Sequence, residues 1–474
     1  MAESELNSTT LGRKSRWNHP PTRSIRVPNK FAPLLLEIAK ILDNNESFEV
    51  LEGYLLNTYF FNDEQSDYVL EEFEMATYFG VQSLYYITHI DNLLSILDEG
   101  ILSHSLVLRK KINYQAIYNP SVVNRRSSKI IQDGKKLWDF ANLYFQPRNA
   151  MLYSLVRNYN DQEFVIISIK NSILRSSGVH ITDGNAANNS TIFLTSDNIN
   201  KDFFTDLTNQ IRLQWWNPND DSKRRIMAEC LVPDKVKPNY FQSLLVPTPS
   251  SVQRVESIRE KSRHFSGGKL PIVVEPYKFF RPDKQIQLKN NLSLAQGDMF
   301  FSRSQTLTIS VNCVGVMGKG LAATAKYRFP DVYVKYQDLC KEKRLDYCSP
   351  FLYKKKTSIF DVLGDQSLID DAVNDHTYET WFLLFPTKKH WKNKSSLQGI
   401  EQGLKWLLNN YKQEGIQSIS LPALGCGQGQ LTWEVVGPLM CKYLSYMDIP
   451  TIVYLPAETN IESQYLSKEF LLPQ

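Results

Sequence analysis

Two glycine-rich turns, each placed between a strand and a helix, most constrain how the C-terminal half of this chain can fold. The first lies in TLTISVNCVGVMGKGLAATAKYRFP (306–330) and the second in SISLPALGCGQGQLTW (418–433). Glycines let backbone N–H groups approach a diphosphate closely, and the helix N-terminus that follows adds a favourable dipole. One such turn is more often an ordinary strand–helix connection, whereas two that face each other would hold a diphosphate from both sides.

Strands and helices alternate around these turns. Strands are predicted at 307–312, 381–385, 417–421 and 451–455, and helices at 320–328, 397–413 and 432–446. This alternation is typical of a layered α/β domain. Because the pattern changes near residue 282, the sequence predicts that this domain spans 282–474.

The preceding segment, 81–281, predicts an α+β domain with short strands and long loops. Strand-like runs lie at 84–90, 143–145, 164–169, 192–194 and 226–232. One helix is predicted after Asp91, which caps it, and ends at Gly100; another lies within 247–270. Residues 1–80 are expected to form a helical extension that is partly disordered, because its first part is polar and contains several prolines.

Composition and charge exclude several classes of protein. Charged residues make up 22% of the 474 positions and hydrophobic residues 42%, as in an ordinary soluble protein. The net charge of +4 does not by itself imply a polyanionic partner, although 101–160 is strongly basic and is either a phosphate-binding surface or a solvated face. The six cysteines form no CxxC pair, so neither a metal site nor a disulfide framework is expected. No apolar run approaches the ~18 residues of a membrane span and no secretory signal is present, so a cytoplasmic protein without a membrane partner is expected.

Four motifs occur together in the C-terminal half: Gly297-Asp298, VNCVGVMGKGLA, FPTKKHW and LPALGCGQGQLTW. In this combination and order they resemble the macrodomain family, and within it the DarG-type macrodomains that remove ADP-ribose from DNA. The resemblance covers nearly all of 290–446 and implies a three-layer α/β fold that binds ADP-ribose. The connection at 354–380 is longer than is usual in that family.

The resemblance also implies roles for individual residues. Asp298 is expected to recognise adenine, Asn312 to lie near the distal ribose, and Lys388 to be catalytic. The diphosphate is expected on the two glycine turns, which contribute Gly315, Gly318, Gly320, Gly425, Cys426, Gly427 and Gly429. An amine can attack the anomeric carbon of ADP-ribose if neighbouring cations depress its pKa. Without the family match, Lys388 would be interpreted as a surface lysine on a turn.

A second group of motifs lies in the N-terminal half: LYYITHIDNLLSILDEGIL (84–102), VVNRRSSK (122–129), LWDFANLYFQPRNAMLY (137–153) and KRRIMAECLVP (223–233). They resemble, in the same order, the DarT family of DNA ADP-ribosyltransferases. That resemblance covers about 84–281 and implies a fold related to other ADP-ribosyltransferases. It also implies the transfer of ADP-ribose from NAD to a base in single-stranded DNA. The PRSP and DYVPFYF-like runs of that family are replaced in this chain.

Glu229 and a basic pair, Arg125 and Arg126, are the expected catalytic residues of the N-terminal half. Breaking the nicotinamide–ribose bond develops positive charge on the ribose, which a carboxylate stabilises, and the acceptor base must lose a proton. One of the two arginines is expected to contact NAD, since a guanidinium suits a diphosphate. Without the family match, Glu229 would be interpreted as a strand-edge carboxylate in a salt bridge.

Four further residues carry expected binding roles. Thr88 and His89 are expected to line the NAD pocket, although a lone histidine is more often a hydrogen-bonded core residue. Arg148 and Tyr153 are expected to bind DNA, the tyrosine by stacking on unpaired bases beside the basic segment. Aromatic residues in such a run are, however, more often part of the core.

Together these resemblances predict a fused enzyme that adds ADP-ribose to DNA and removes it again, with contact between its two halves. Its ligands would be NAD as a substrate, ADP-ribose and single-stranded DNA. Two alternatives stay open: a macrodomain that only binds ADP-ribose, and a transferase that modifies RNA, protein or a small molecule. The sequence does not indicate whether the base is thymine or guanine.

Overall fold

The computed structural model describes residues 81–117, 126–131, 133–195, 198, 201–217, 220–347, 349–357, 378–456 and 459–473. The extension expected at 1–80, Arg125 and most of the connection at 354–380 lie outside the described residues.

The N-terminal half is built on a mostly antiparallel sheet. Its strands are β1 (Ser83–His89), β2 (Ile101–Leu102), β3 (Phe140–Tyr144), β4 (Phe164–Lys170), β5 (His180–Thr182), β6 (Phe193–Thr195), β7 (Glu229–Pro233), β8 (Lys235–Val236), β9 (Phe241–Val246) and β10 (Ile272–Val274). Strand β2 pairs with β8, and the others form one sheet in the order β10-β9-β4-β1-β3-β7-β5-β6. Among the described strands of this sheet, only β9 and β10 pair in parallel, which confirms the predicted α+β class.

Helices pack on this sheet and connect its strands. They are α1 (Leu93–Glu99), α2 (His104–Lys110), α3 (Ala150–Asn158), α4 (Lys201–Ile211), α5 (Ser222–Ile226) and α6 (Pro249–Arg259). Strand β4 reads FVIISIK and its first six residues are buried, as expected for a strand covered on both faces. Helix α1 ends at Gly100, whose φ of 90° favours glycine and whose missing side chain leaves room for the carbonyl of Val236.

Two predicted boundaries in this half are wrong. The strand expected at 226–232 begins only at Glu229, because the residues before it form α5. Helix α5 starts where the Asp220 carboxylate accepts a hydrogen bond from the Ser222 N–H at 2.8 Å. Asp91 does not cap α1, because it lies inside a 3-10 turn, Ile90–Asn92.

The C-terminal half is built on a second, mostly parallel sheet. Its strands are β11 (Lys284–Lys289), β12 (Leu292–Gln296), β13 (Thr306–Val311), β14 (Phe351–Tyr353), β15 (Lys356–Thr357), β16 (Tyr378–Glu379), β17 (Trp381–Pro386), β18 (Ile419–Pro422) and β19 (Thr451–Tyr454). Strands β15 and β16 pair with each other, and the sheet order is β11-β12-β19-β18-β13-β17-β14. The five inner strands are parallel, and the two edge strands are antiparallel to them.

Helices cover both faces of this second sheet. They are α7 (Gly320–Arg328), α8 (Pro330–Lys341), α9 (Leu397–Glu414), α10 (Trp433–Leu444) and α11 (Lys468–Leu471). One apolar cluster joins the sheet to α9, α10 and α11, and another joins its opposite face to α7 and α8. These two clusters confirm the predicted three-layer α/β fold. The β11–β12 hairpin and α8 were not predicted.

A layer of aromatic and arginine side chains joins the two halves. Phe301, which precedes β13, packs in the core of the N-terminal half, with its ring 4.9 Å from that of Phe280 and 5.3 Å from that of Trp215. Arg157 of α3 donates a hydrogen bond to the carbonyl of Ser302 at 2.9 Å. The predicted contact between the two halves is therefore confirmed.

A buried carboxylate also contributes to this junction. Asp161 has no exposed surface, and it pairs with Arg281 in the connection between the sheets and with Arg303 at 3.1 Å. The side chain of Asp161 therefore ties the N-terminal half to the first residues of the C-terminal half.

None of the helices in the described part of the chain is long and apolar enough to cross a membrane.

Candidate active sites

Glu229, the first residue of β7, lies at the centre of the N-terminal site. Its side chain is fully buried and forms a bidentate ion pair with Arg126, with Nη1 3.0 Å from Oε1 and Nη2 2.9 Å from Oε2. The Ala186 N–H donates a third hydrogen bond, to Oε1 at 2.9 Å. Burial alone would lower the pKa of Arg126, but the charge and hydrogen bonds of Glu229 raise it above its usual value.

The main chain of Glu229 is held as firmly as its side chain. The hydroxyl of Thr182, on the neighbouring strand β5, accepts a hydrogen bond from the Glu229 N–H at 2.9 Å and donates one to the Gly184 carbonyl at 2.6 Å. On the other side, Tyr144 of β3 is the register partner of Glu229. The carboxylate is thus fixed from both neighbouring strands.

Basic side chains surround this ion pair. Burial and the charge of Arg126 lower the pKa of Lys129, whose Nζ donates a hydrogen bond to the carbonyl of Asn188 at 2.5 Å. Burial and the same arginine lower the pKa of His104. Each of these groups therefore holds its proton less firmly than it would in water.

Thr88 and His89 lie on the same sheet as Glu229 but two strands away, at the end of β1. Thr88 is buried, and His89 keeps 14% of its side chain exposed while its Nδ1 accepts a hydrogen bond from the Asp91 N–H at 3.2 Å. The Asn92 side chain bonds both to Thr88 and to the main chain of Gln115. The loop after α2 is thereby fastened beside the two residues predicted to bind NAD.

The prediction that Arg148 and Tyr153 contact DNA is wrong, because both are buried at the junction between the halves. Arg148 is 3% exposed, and its guanidinium lies 3.7 Å from the centre of the Tyr277 ring. Tyr153 is 4% exposed and packs edge-on against Trp215, Trp216 and Phe280. The arrangement bears out the alternative that Tyr153 belongs to the core, and the buried Arg148 is neither a phosphate-binding nor a solvated residue.

Asn312 organises the first glycine turn of the C-terminal half. Its side-chain nitrogen donates to the carbonyl of Val316 at 2.7 Å, and its oxygen accepts from the Val314 N–H at 3.0 Å and from the Tyr336 hydroxyl at 2.9 Å. Tyr336 is fully buried, which raises the pKa of its hydroxyl. Gly315 and Gly320 have φ values of 77° and 57°, so the backbone itself requires glycine there.

Lys388 follows β17 and joins the two glycine turns. Its Nζ donates a hydrogen bond to the carbonyl of Gln428, in the second turn, at 2.8 Å. The carbonyl of the next residue, Lys389, accepts a hydrogen bond from the Cys313 N–H of the first turn at 3.1 Å. Burial, not neighbouring cations, lowers the pKa of Lys388, so the depressed pKa predicted for this lysine has a different cause.

The second turn contains the remaining residues predicted to bind the diphosphate. Gly425 has a φ of 76°, and a side chain at Gly429 would collide with Ser395 and with the carbonyl of Gly425. Cys426 is half-buried, and burial raises the pKa of its thiol to about 12. The thiol is therefore protonated and uncharged beside the expected diphosphate.

Asp298 lies where the second sheet meets the N-terminal half. One carboxylate oxygen accepts a hydrogen bond from the Phe300 N–H at 3.0 Å, and the other accepts one from Arg328 at 2.5 Å. The Arg328 guanidinium lies 5.1 Å from the centre of the Trp215 ring. The residue predicted to recognise adenine is therefore in contact with the junction.

Among the described residues, no group of three or more histidines, cysteines, aspartates or glutamates is placed to hold a metal ion.

Comparison with known proteins identifies the family. Residues 85–281 match the family described as "ssDNA thymidine ADP-ribosyltransferase, DarT", and residues 379–440 match the macro domain family. The chain is 48% identical over 392 residues to the "DNA ADP-ribosyl transferase-DNA ADP-ribosyl glycohydrolase fusion protein" of Thermosipho africanus, a match that covers 82% of this chain and 98% of the relative. This chain belongs to the DarT–DarG fusion family.

Solved structures agree with this assignment. The structure of Thermosipho africanus DarTG in complex with ADP-ribose matches with a TM-score of 0.75 at 46% identity, over 82% of this chain and all of that one. The DNA ADP-ribosyl glycohydrolase of Mycobacterium tuberculosis is 30% identical over 167 residues, which are 35% of this chain and 42% of that protein. The predicted resemblance to both DarT and DarG is confirmed.

As a member of this fusion family, the chain uses several residues that sequence reasoning missed. Thr182 and Ala186, which hold Glu229, lie in or beside the TDGNAANNST segment, whose Asp-Gly and Asn residues signal a turn close to a strand. Tyr336 and Arg328 lie on helices of the C-terminal half and carry no recognisable motif. Only their tertiary contacts identify them.

Proposed function

We propose that residues 81–281 transfer ADP-ribose from NAD to a base in single-stranded DNA and that residues 282–474 remove it. We refer to these segments as the writer and the eraser. The observation that carries the proposal is the pairing, in one chain, of a buried Glu229–Arg126 site with a lysine that joins two glycine turns. The fusion relative and the ADP-ribose complex from Thermosipho africanus support the same two activities.

The family match names thymidine, and we propose a thymine ring nitrogen as the acceptor. In the transfer, the bond between the ribose and nicotinamide breaks, nicotinamide leaves, and the thymine nitrogen forms a bond to the same ribose carbon while losing its proton. Glu229 stabilises the positive charge on the ribose and accepts the proton.

The geometry of Glu229 suits this role. Its Oε1 accepts two hydrogen bonds, from Arg126 and from the Ala186 N–H, whereas the described residues give Oε2 one, from Arg126. Since each carboxylate oxygen has two lone pairs, Oε2 keeps one with which to accept a proton. Arg126, whose guanidinium is always charged, holds both carboxylate oxygens in place.

Thr88 and His89 are proposed to bind the part of NAD that is remote from the reaction. They lie on β1, three to four residues beyond Tyr85, which is the register partner of Tyr144 beside Glu229. At ~3.3 Å per residue along the strand and ~4.8 Å between neighbouring strands, these residues lie about 14–16 Å from Glu229, which suits an extended dinucleotide.

In the eraser, Asp298 and the two glycine turns are proposed to hold ADP-ribose, and Lys388 to cleave its bond to the base. The Lys388 amine forms a bond to the anomeric carbon, the base leaves with a proton, and water then releases ADP-ribose and the free amine. The lowered pKa of Lys388 increases the fraction of the neutral, nucleophilic form.

One experiment tests both activities in the full chain. The Lys388→Ala variant is incubated with NAD and mixed-sequence single-stranded DNA, and the DNA is then analysed by mass spectrometry. Purified modified DNA is next given to the unmodified chain without NAD. We expect ADP-ribose to be added in the first step and released in the second; the Lys388→Ala variant is the control for release, and persistent binding without release would favour a purely binding macrodomain.

RNA of the same sequence and a protein mixture are tested beside the DNA. Equal modification of either would show that the writer has another acceptor. The full chain is used because Phe301 of the eraser packs in the writer core, so cutting at residue 281 would expose that core.

A further inference from the structure

The turn that follows Lys388 is exposed, aromatic and basic. Trp391 has 50% of its surface exposed, and Lys389, Lys392 and Lys394 are exposed around it. Within the described residues, none of these three lysines forms an ion pair with a carboxylate, whereas other exposed lysines do. Lys389 Nζ lies 5.6 Å from the centre of the Tyr347 ring, and Lys392 Nζ lies 5.2 Å from the centre of the Trp391 ring. Neither contact cancels the positive charge of the turn, which is therefore available to an anionic partner.

Hydrogen bonds within this turn and to the second glycine turn hold it in shape. The His390 carbonyl accepts a hydrogen bond from the Asn393 N–H at 3.0 Å, and the His390 ring nitrogen accepts one from the Lys392 N–H at 3.2 Å. At the far end, the Ser395 N–H donates to the carbonyl of Gly429 at 3.0 Å. Trp391 is thus carried on a rigid segment at a fixed place relative to Lys388.

The position of this turn determines which part of the substrate it can contact. If the glycine turns hold the ADP-ribose, the base attached to it lies at Lys388, and the rest of the DNA strand must leave the site across neighbouring surface. An exposed indole stacks on unpaired bases, and unpaired lysines neutralise phosphates. The indole and the three lysines all lie within one to six residues of Lys388.

We propose that Lys389–Lys394 is the surface on which the eraser binds the DNA strand that carries ADP-ribose, with Trp391 stacked on a base beside the modified one. The inference rests on the proposed function of the eraser. It gives that half a DNA-binding surface of its own and predicts that modified DNA is a better substrate than the modified nucleoside alone.

A comparison of two substrates distinguishes a failure of this inference from a failure of the proposed function on which it rests. One is a single-stranded oligonucleotide modified by the Lys388→Ala chain, and the other is the ADP-ribosylated nucleoside obtained from it by nuclease digestion. We measure kcat/KM for both with the full chain and with Trp391→Ala. The ratio of oligonucleotide to nucleoside should fall roughly tenfold or more in the variant, and Trp391→Phe should recover part of it.

The control is Tyr446→Ala. Tyr446 is 70% exposed and lies 5.9 Å from a lysine nitrogen, that of Lys289, but it follows the end of α10 farthest from the glycine turns. Its removal should leave the ratio unchanged. A ratio that is equally unchanged in Trp391→Ala would overturn the inference while leaving the eraser activity intact, whereas failure of the unmodified chain on both substrates would overturn the proposed function itself.

Binding gives an independent measurement. The affinity of the Lys388→Ala chain for the modified oligonucleotide should fall when Lys389, Lys392 and Lys394 are all replaced by alanine. The dependence of that affinity on salt should become shallower, by a slope of about 0.7 for each phosphate that the lysines no longer neutralise. Identical salt slopes for the two chains would contradict the inference.

Discussion

Arg328 donates a hydrogen bond to Asp298 while its guanidinium lies over the ring of Trp215, so one side chain connects the proposed adenine site of the eraser to the core of the writer. The Arg328 side chain is 5% exposed and that of Asp298 is 27% exposed. Because the pair is partly desolvated, removing one partner should cost more folding free energy than breaking a surface ion pair.

Arg328→Ala should therefore weaken both the junction and ligand binding. We expect the free energy of unfolding to fall by about 1–3 kcal/mol, as for a buried polar group left without its partner, and the thermal shift caused by ADP-ribose to become smaller. Thermal unfolding with and without ADP-ribose measures both effects. Arg344→Ala is the control, because Arg344 is 56% exposed and pairs with the exposed Glu342; an equal effect of the two variants would contradict the assignment.

Variants of the Arg126–Glu229 pair should affect folding stability and transfer activity differently. Arg126→Ala leaves a fully buried carboxylate without its counter-charge, which should cost about 3–5 kcal/mol of folding free energy. Removing both charges, with Arg126→Met and Glu229→Gln together, should recover most of that loss but no transfer activity. Glu229→Gln alone should lower transfer by about two to four orders of magnitude.

Denaturant unfolding and NAD-dependent modification of single-stranded DNA measure these two properties. If the double variant modified DNA at the rate of the unmodified chain, Glu229 would have only a structural role.

The sequence predicted the local motifs of this protein well, but it did not predict the tertiary contacts. The strands that end in glycine turns were predicted within one or two residues, because β-branched runs followed by glycines are local signals. The start of strand β7 was predicted too early because the residues at 222–226 form a helix. A turn at Asp220, which accepts a hydrogen bond from the Ser222 N–H, precedes that helix. The prediction for Arg148 and Tyr153 was wrong for another reason. The sequence does not show whether a basic or an aromatic residue faces solvent or packs against a residue far away in the chain, as both do against Phe301.

Two glycines of the diphosphate turns should respond differently to the same change. A side chain at Gly429 would collide with Ser395 and the carbonyl of Gly425, whereas one at Gly318 would have Val316 as its nearest neighbour, at 3.9 Å. Gly429→Ala should lower the thermal stability of the ligand-free protein, and Gly318→Ala should change its free energy of unfolding by less than about 0.5 kcal/mol. Equal unfolding temperatures for the two variants would show that the second turn relaxes more easily than its packing indicates.

The pH dependence of ADP-ribose release should follow Lys388. Only the neutral amine is nucleophilic, so the rate should rise with pH and level off above the pKa of Lys388. Because burial lowers that pKa, the midpoint should lie below the value of about 10.4 that is usual for lysine. Single-turnover release from modified DNA at a series of pH values measures it. Lys388→Arg, which stays charged, should release nothing over the same range.

Growth of cells that express the full chain tests whether the eraser restrains the writer. The unmodified chain should be tolerated, because the tether keeps the eraser at a high local concentration near the DNA that the writer modifies. Lys388→Ala should be toxic, since the modification then accumulates, and adding Glu229→Ala to it should restore growth because no ADP-ribose is transferred. Immunoblotting confirms equal expression of the three chains, and mass spectrometry of genomic DNA confirms the modification. Equal growth of all three at equal expression would contradict a self-restrained enzyme, and toxicity of the double variant would show that the harm comes from a property of the protein other than transfer by Glu229.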